Sequence, residues 1–359
     1  MHLSTKHLST KHLTTMSLAL QTWRRAILVL LVSLWIAPAS AETSLRMVLN
    51  WSYQGPQAWF FLAQERGYFA EEGLDLRIDQ GSGSGAAVGS VASGAYDVGF
   101  GDINALINYA ANHPDDSPVG VYMLYTQPPF TIAVTSDSDI HEPADLEGRT
   151  IAGPANDGAL RLFPAFAALA GIDADSVEIM NIEPRLREQM LNRGQVDAAF
   201  GFVNTVRFNA MLAGIDPDER LRFIRYGDHG MDLYSNAIIV SRRLADENPE
   251  AVRGLVRAIN RGVADVLADP EAGMEAVMAQ EPLINRQVET ARLAATIEDE
   301  MNHPELPEIG LGNIDETRMQ EAIDIVVSAY GLAHAPALEE VFRTDFLPPE
   351  EERIYSLYE

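Results

Sequence analysis

Amides, aromatics and carboxylates stand just beyond the ends of short apolar runs in this chain: Asn50-Trp51, Gln57, Asp102, Asn156-Asp157-Gly158, Phe202, Asn204, Asp232 and Tyr234. In open α/β sheets, ligands bind outside the carboxyl ends of the strands. Aromatic faces stack on a planar ring, while amides and acids satisfy ring N–H groups that would otherwise be buried unpaired, at about 1–3 kcal/mol each. The set predicts a cleft for a small nitrogen-containing ring. A second feature, Gly81-Ser82-Gly83-Ser84-Gly85-Ala86, offers backbone N–H groups at a helix start, with the Ser82 and Ser84 hydroxyls as extra donors. Such a loop suits a carboxylate, sulfonate, phosphate or polarised carbonyl. It also fits the loose dinucleotide pattern Gly-x-Gly-x-x-Ala. That fingerprint normally opens the first βα unit of its domain, however, and here a βα unit comes before it.

Catalytic frameworks are not visible. No serine lies in Gly-x-Ser-x-Gly register, and His113, His141, His229, His303 and His334 are scattered without ligand spacing. The absence of cysteine removes disulfides, thiolate metal sites and thiol nucleophiles together. The expectation is a protein that is not an enzyme, with no catalytic residue, no metal and no cofactor. The alternative from another class is an exported hydrolase using paired carboxylates, Asp102 with Asp157, as acid and base.

Positioning the cleft residues requires two similar halves. Gly94-Ala95-Tyr96-Asp97-Val98-Gly99-Phe100-Gly101 is answered by Gly194-Gln195-Val196-Asp197-Ala198-Ala199-Phe200-Gly201, each between a helix-like stretch and a flat apolar run that reads as a buried strand. Leu74 to Ile78 and Val177 to Met180 add a matching pair of strands, each following a helix that ends in glycine. The fold class expected is α/β in two lobes, each a sheet flanked by helices, joined by a two-strand hinge. Residues 42–127 form the first part of lobe 1, 128–234 lobe 2, and 235–359 the return to lobe 1 with C-terminal helices. Two hinge strands permit closure by rotation about a few backbone dihedrals. Asn248-Pro249, Asp269-Pro270 and Asp315-Glu316 each start a helix, read as scaffold on the back of lobe 1 with no chemistry of its own.

Residues 1–41 belong to neither lobe. Arg24-Arg25, the apolar run Ala26 to Ala37 and Ala39-Ser40-Ala41 make a secretory signal with cleavage near Ala41. The run is too short to span a bilayer, so export to the periplasm without membrane insertion is expected. The chain carries 52 acidic against 26 basic residues, a formal charge of −26; loss of Lys6, Lys11, Arg24 and Arg25 with the leader makes it −30. So acidic a surface disfavours nucleic acid and anionic lipid as partners.

Leu49-Asn50-Trp51, Phe61-Leu62-Ala63-Gln64, Gly67-Tyr68-Phe69 and Glu72-Gly73-Leu74-Asp75 resemble the opening of the periplasmic substrate-binding proteins for nitrate, sulfonates and thiamine pyrimidine precursors. Gly94 to Asp97, Gly101-Asp102, Asp145-Leu146-Glu147-Gly148, Gly194 to Asp197 and Thr344-Asp345-Phe346-Leu347-Pro348 extend the resemblance along the chain. It implies a type II, two-lobed periplasmic binding protein. Such a monomer would hand a small molecule to an ABC permease and its ATPase. The pyrimidine branch, which the opening resembles most, includes a eukaryotic pyrimidine synthase. It carries a histidine where Gln57 stands here, and the synthase carries a cysteine cluster that this chain lacks. The resemblance therefore implies receptor rather than synthase, with a thiamine-pyrimidine-like ligand, or else a sulfonate, nitrate or aromatic acid.

Overall fold

The computed structural model describes residues 42–358; the leader expected in residues 1–41 lies outside them. The strands are β1 (Thr43–Val48), β2 (Leu74–Asp79), β3 (Val98–Asp102), β4 (Val119–Met123), β5 (Phe130–Thr135), β6 (Thr150–Gly153), β7 (Glu178–Asn181), β8 (Ala198–Phe202), β9 (Leu221–Arg225) and β10 (Asn236–Val240). They form two five-stranded sheets, in the orders β2-β1-β3-β10-β4 and β7-β6-β8-β5-β9. The sheets are copies of one plan. Two parallel strands flank the start of each, β1 with β2 and β3, and β6 with β7 and β8. One antiparallel strand then joins the central strand to the outer one: β10 in the first sheet, β5 in the second.

The repeated Gly-x-x-Asp motif performs the same task in both. Gly94 and Gly194 take left-handed conformations, with φ of 73° and 63°, where the preceding helix stops. Asp97 then exchanges a pair of hydrogen bonds with Arg46 on β1, backbone N to O at 2.9 Å and Arg46 N to Asp97 Oδ2 at 3.0 Å. Asp197 repeats this with Thr150 on β6, at 3.0 and 2.8 Å. The aspartates lock each central strand to its neighbour at the edge opposite the cleft, so the motif is structural.

Helices that position the site are α1 (Ala58–Glu65), α2 (Ser84–Ala92), α3 (Ile103–Asn112), α4 (Gly158–Ala170), α5 (Arg187–Asn192), α6 (Val203–Leu212), α7 (Pro249–Ala268), α8 (Pro270–Gln280), α9 (Arg286–Thr296) and α10 (Glu316–Tyr330). Asp102, Asp157, Asn248, Asp269 and Asp315 cap α3, α4, α7, α8 and α10 through their side-chain oxygens. α7 and α8 cover α1, whose Trp59, Phe60 and Phe61 are buried in the core of the first lobe. α10 packs on α3 and α4 at once, and so touches both lobes. Among the described residues no helix is long and apolar enough to cross a membrane.

The chain passes between the sheets twice, and the two passages are tied together. Tyr125 N donates to Asn236 O (2.9 Å), and Ser235 N donates back to Tyr125 O (3.0 Å). Arg318 of α10 clamps both: its guanidinium donates to Thr126 O (2.7 Å), Asp232 Oδ1 (2.8 Å) and Glu305 Oε1 (3.0 Å), and stacks 4.1 Å from the Tyr234 ring centroid.

Candidate functional site

The loops after β1 and β8 face each other across the two sheets. Asn50 and Trp51 leave β1, and the 3₁₀ turn Gly55–Gln57 follows. Phe202 ends β8, where it stands edge-on to Phe130, its partner across the β5–β8 pair, at 5.4 Å. Asn204 follows in the first turn of α6. Together with Ser84, Asp157, Gly158, Tyr125 and Glu300 these residues enclose two small chambers that share the walls Asn50, Trp51, Phe202 and Thr205. Each holds about 20 Å³, room for a single water. A ring compound therefore enters only when the lobes move apart.

Acceptors dominate this interior. Asn50 Oδ1 and Asn204 Oδ1 are buried without a hydrogen-bond partner. Asn204 Nδ2 donates to Glu300 Oε1 (3.1 Å), and burial pushes Glu300 up to about 8 against the opposing pull of that bond. Gln57 is buried, and its Oε1 accepts from Gln54 N (2.9 Å), closing the turn before α1. The positive side chain here, Arg292, is neutralised within its own helix. It donates to both oxygens of Glu289, at 2.9 and 3.2 Å, and reaches across to Asn204 O (3.4 Å) and Asn209 Oδ1 (3.0 Å) in the second lobe. Glu289 Oε2 in turn accepts from Gly55 N (3.0 Å).

The glycine loop packs on its own lobe and touches the other. Gly81 N donates to Trp51 O (3.0 Å), Gly83 N to Asn50 O (2.8 Å) and Gly85 N, across the lobes, to Asn156 O (3.4 Å), so the three glycine N–H groups expected to hold a ligand are engaged by protein carbonyls. Glycine is needed because backbone passes so close: a Cβ on Gly81 would stand 1.7 Å from Leu49 O, and one on Gly83, whose φ is 127°, 2.5 Å from Asn156 O. Ser84 Oγ turns inward to Asn236 Oδ1 (3.4 Å), and Ser82 lines an outer groove of about 440 Å³ with Trp51, Gln54, Arg185, Glu188 and Asn209. Asn156, half-buried, holds Arg161 through Oδ1 (3.1 Å). Asp157 sits over fully buried Arg187, 3.5 Å away, and burial raises its carboxyl more than Arg187 lowers it. Asp102 meets the second lobe at Gly158: a Cβ there would lie 3.0 Å from Asp102 Oδ2 and from the Phe202 ring. Burial pushes Asp102 up to about 7, with Asn104 opposing and Asp157 adding to the shift.

Residues 56–273 match the family described as NMT1/THI5 like. The chain belongs to the NMT1/THI5-like family. A formylaminopyrimidine-binding protein of Halalkalibacterium halodurans is 23% identical over 333 residues, covering 89% of this chain and 97% of that protein. A 4-amino-5-hydroxymethyl-2-methylpyrimidine phosphate synthase of Legionella pneumophila is 24% identical over 249 residues, 69% of this chain and 77% of that protein. Among solved structures, the alkanesulfonate-binding protein SsuA from Xanthomonas axonopodis pv. citri, bound to MOPS, superposes with a TM-score of 0.65 at 18% identity, over 84% of this chain and 98% of that one. That likeness establishes the periplasmic-binding-protein fold.

Three expectations need correction within this NMT1/THI5-like frame. The expectation that the chain is not an enzyme is overturned by the synthase name, which recurs among further relatives; missing cysteines and the glutamine at position 57 do not remove a family member from enzymes. Asp232 and Tyr234 stand in the hinge and not in the cleft. The Asp232 side chain is 64% exposed and pairs with Arg318 and, at 3.8 Å, His303; the Tyr234 hydroxyl accepts from Asp315 N (2.7 Å). The C-terminal helices, read as scaffold, bring Arg292 and Glu300 into the interior. Sequence reasoning missed both because Glu289 and Arg292, three apart, look like an ordinary surface ion pair. Glu300 lies in a π-helical turn, Ile297–Met301, that continues α9. Such turns are rare and frequent at functional sites, but they leave no periodic signature. His229, in the return connection, packs edge-on against Phe166 at 5.9 Å within the second lobe.

Proposed function

We propose that the chain is the periplasmic solute receptor of an ABC importer, binding a small amino-bearing nitrogen heterocycle between its lobes. The observation that carries this reading is the interior of unpartnered acceptors, Asn50 Oδ1 and Asn204 Oδ1, beside the carboxyl of Glu300 and the faces of Trp51 and Phe202. Acceptors call for a ligand rich in N–H donors, and aromatic faces call for a flat one. Nitrate and sulfonates are less favoured, because the N–H groups of Gly81, Gly83 and Gly85 and the guanidinium of Arg292 are already engaged. A relative named for formylaminopyrimidine supports the same chemistry. Export rests on the leader expected from the sequence of residues 1–41, and the permease and ATPase follow from the receptor reading.

Thermal unfolding against aminopyrimidines, flavins, taurine and nitrate tests it. A ligand at 100 times its dissociation constant adds about 2.7 kcal/mol. The expected result is stabilisation by an aminopyrimidine that Asn50→Ala and Asn204→Ala abolish. Stabilisation by taurine or nitrate alone would overturn the heterocycle reading.

A further inference from the structure

We propose that the groove on the far side of the Asp102–Gly158 contact is a second binding site, for a small organic cation with two N–H donors on one edge, an amidinium or guanidinium. The groove encloses about 470 Å³ between α2 and α3 of the first lobe and α4 of the second, with Tyr330 of α10 at its edge. That volume suits a small molecule, whereas the inner chambers hold about 20 Å³ each. Two buried acceptors lie in its wall. Asp102 is fully buried; its Oδ1 accepts from Asn104 N (2.7 Å) and Nδ2 (2.8 Å), and its Oδ2 has no partner. Asn104 Nδ2 is also engaged by Tyr234 O (2.6 Å), and its Oδ1 has no partner.

Both unpartnered oxygens belong to side chains that line the groove. A planar cation with N–H groups along one edge can donate to them, and hydrogen bonds to an ionised acceptor are the stronger kind. Arg161 lines the groove as well, but it is exposed at the rim, where solvent screens it, and is held by Asn156 Oδ1. Tyr109 and His113 stack at 4.3 Å with 17° between their planes and offer a flat wall to an aromatic substituent. The inference goes beyond the cleft reading and does not depend on the cleft ligand.

Benzamidine is the probe, measured by calorimetry on the purified protein near pH 7, below the range in which the ligand-free lobes are expected to part, with uncharged benzamide as control. Saturable benzamidine binding, with none for benzamide, is expected. Gly89 lines the groove, and a Cβ there meets nothing within 4 Å, so Gly89→Phe places a ring in the groove from a position that accepts a side chain, and its unfolding temperature, measured alongside, should match that of the unsubstituted protein. Gly89→Phe should weaken binding about tenfold or more by occupying the groove, and Asp102→Asn by a similar factor through the loss of one hydrogen bond to a charged group. Trp51→Ala, in the cleft, should leave it unchanged. Absence of saturation at millimolar probe, binding that survives Gly89→Phe, or binding lost with Trp51→Ala would each overturn the proposal.

Discussion

Raising the pH should open the ligand-free lobes. Glu300 and Asp102 lie where the lobes meet, the first against Asn204 and the second against Gly158. Burial pushes Glu300 from 4.5 to about 8 and Asp102 from 3.8 to about 7. Around Glu300, Asp299 raises the pKa while Arg292 and Arg225 lower it; around Asp102, Asp157 raises it and the amides of Asn104 and Ala105 lower it. Tyr330 also feels the Asp102 charge. Opening returns both carboxyls to water, so the closed form holds protons that the open form releases between about pH 4 and 8. Closure is then fully favoured below the solvated values and loses stability as pH rises through about 7 and 8. Raising a carboxyl from about 4 to about 7 is worth about 4 kcal/mol per group. Half of that would still reverse a closed-open preference of a few kcal/mol. Solution scattering should show a compact particle near pH 5 and a more extended one above pH 8. Glu300→Gln and Asp102→Asn should each remove part of the pH dependence, and the double variant nearly all of it. A scattering profile constant across that range in the unsubstituted protein would refute the reasoning.

Gly83→Ala should weaken cleft ligand binding about tenfold or more, because its Cβ would overlap Asn156 O at 2.5 Å in a backbone conformation with φ of 127°; calorimetry checks it, and equal affinity would place the closure contact elsewhere. Gly158→Ala meets its neighbours at 3.0 Å, a mild overlap, so its effect in the same assay should be clearly smaller. Arg318→Ala should destabilise the protein by about 3 kcal/mol in urea unfolding, since Glu305 and the Thr126 carbonyl lose their buried partner. Arg292→Ala leaves Glu289 buried and unpaired and should cost a similar amount, with a further loss of cleft affinity through Asn209.

Local chemistry made part of the site readable. Asp102 and Asp157 are helix caps whose neighbours in sequence supply the N–H groups they accept, so their places at strand ends followed from residue type alone. Asn50, Trp51 and Asn204 follow, and Phe202 ends, strands that show as flat apolar runs. Asp232 and Tyr234 misled because a return connection and a cleft loop have the same composition; Arg318, some eighty residues on, draws them into the hinge. The glycine loop misled for a related reason. Its glycine N–H groups look bare in sequence, but carbonyls from Trp51, Asn50 and Asn156 reach those of Gly81, Gly83 and Gly85.

The chain's own order of residues determined the two-lobed α/β plan, because hydrophobic period, caps and the doubled Gly-x-x-Asp turn act over a few neighbouring positions. Tertiary structure decided which oxygens lie unpartnered between the lobes, and it brought Arg292 and Glu300 to face Asn204 from nearly a hundred residues away. Burial and long-range approach set those properties, and neither is encoded in the spacing of any short segment.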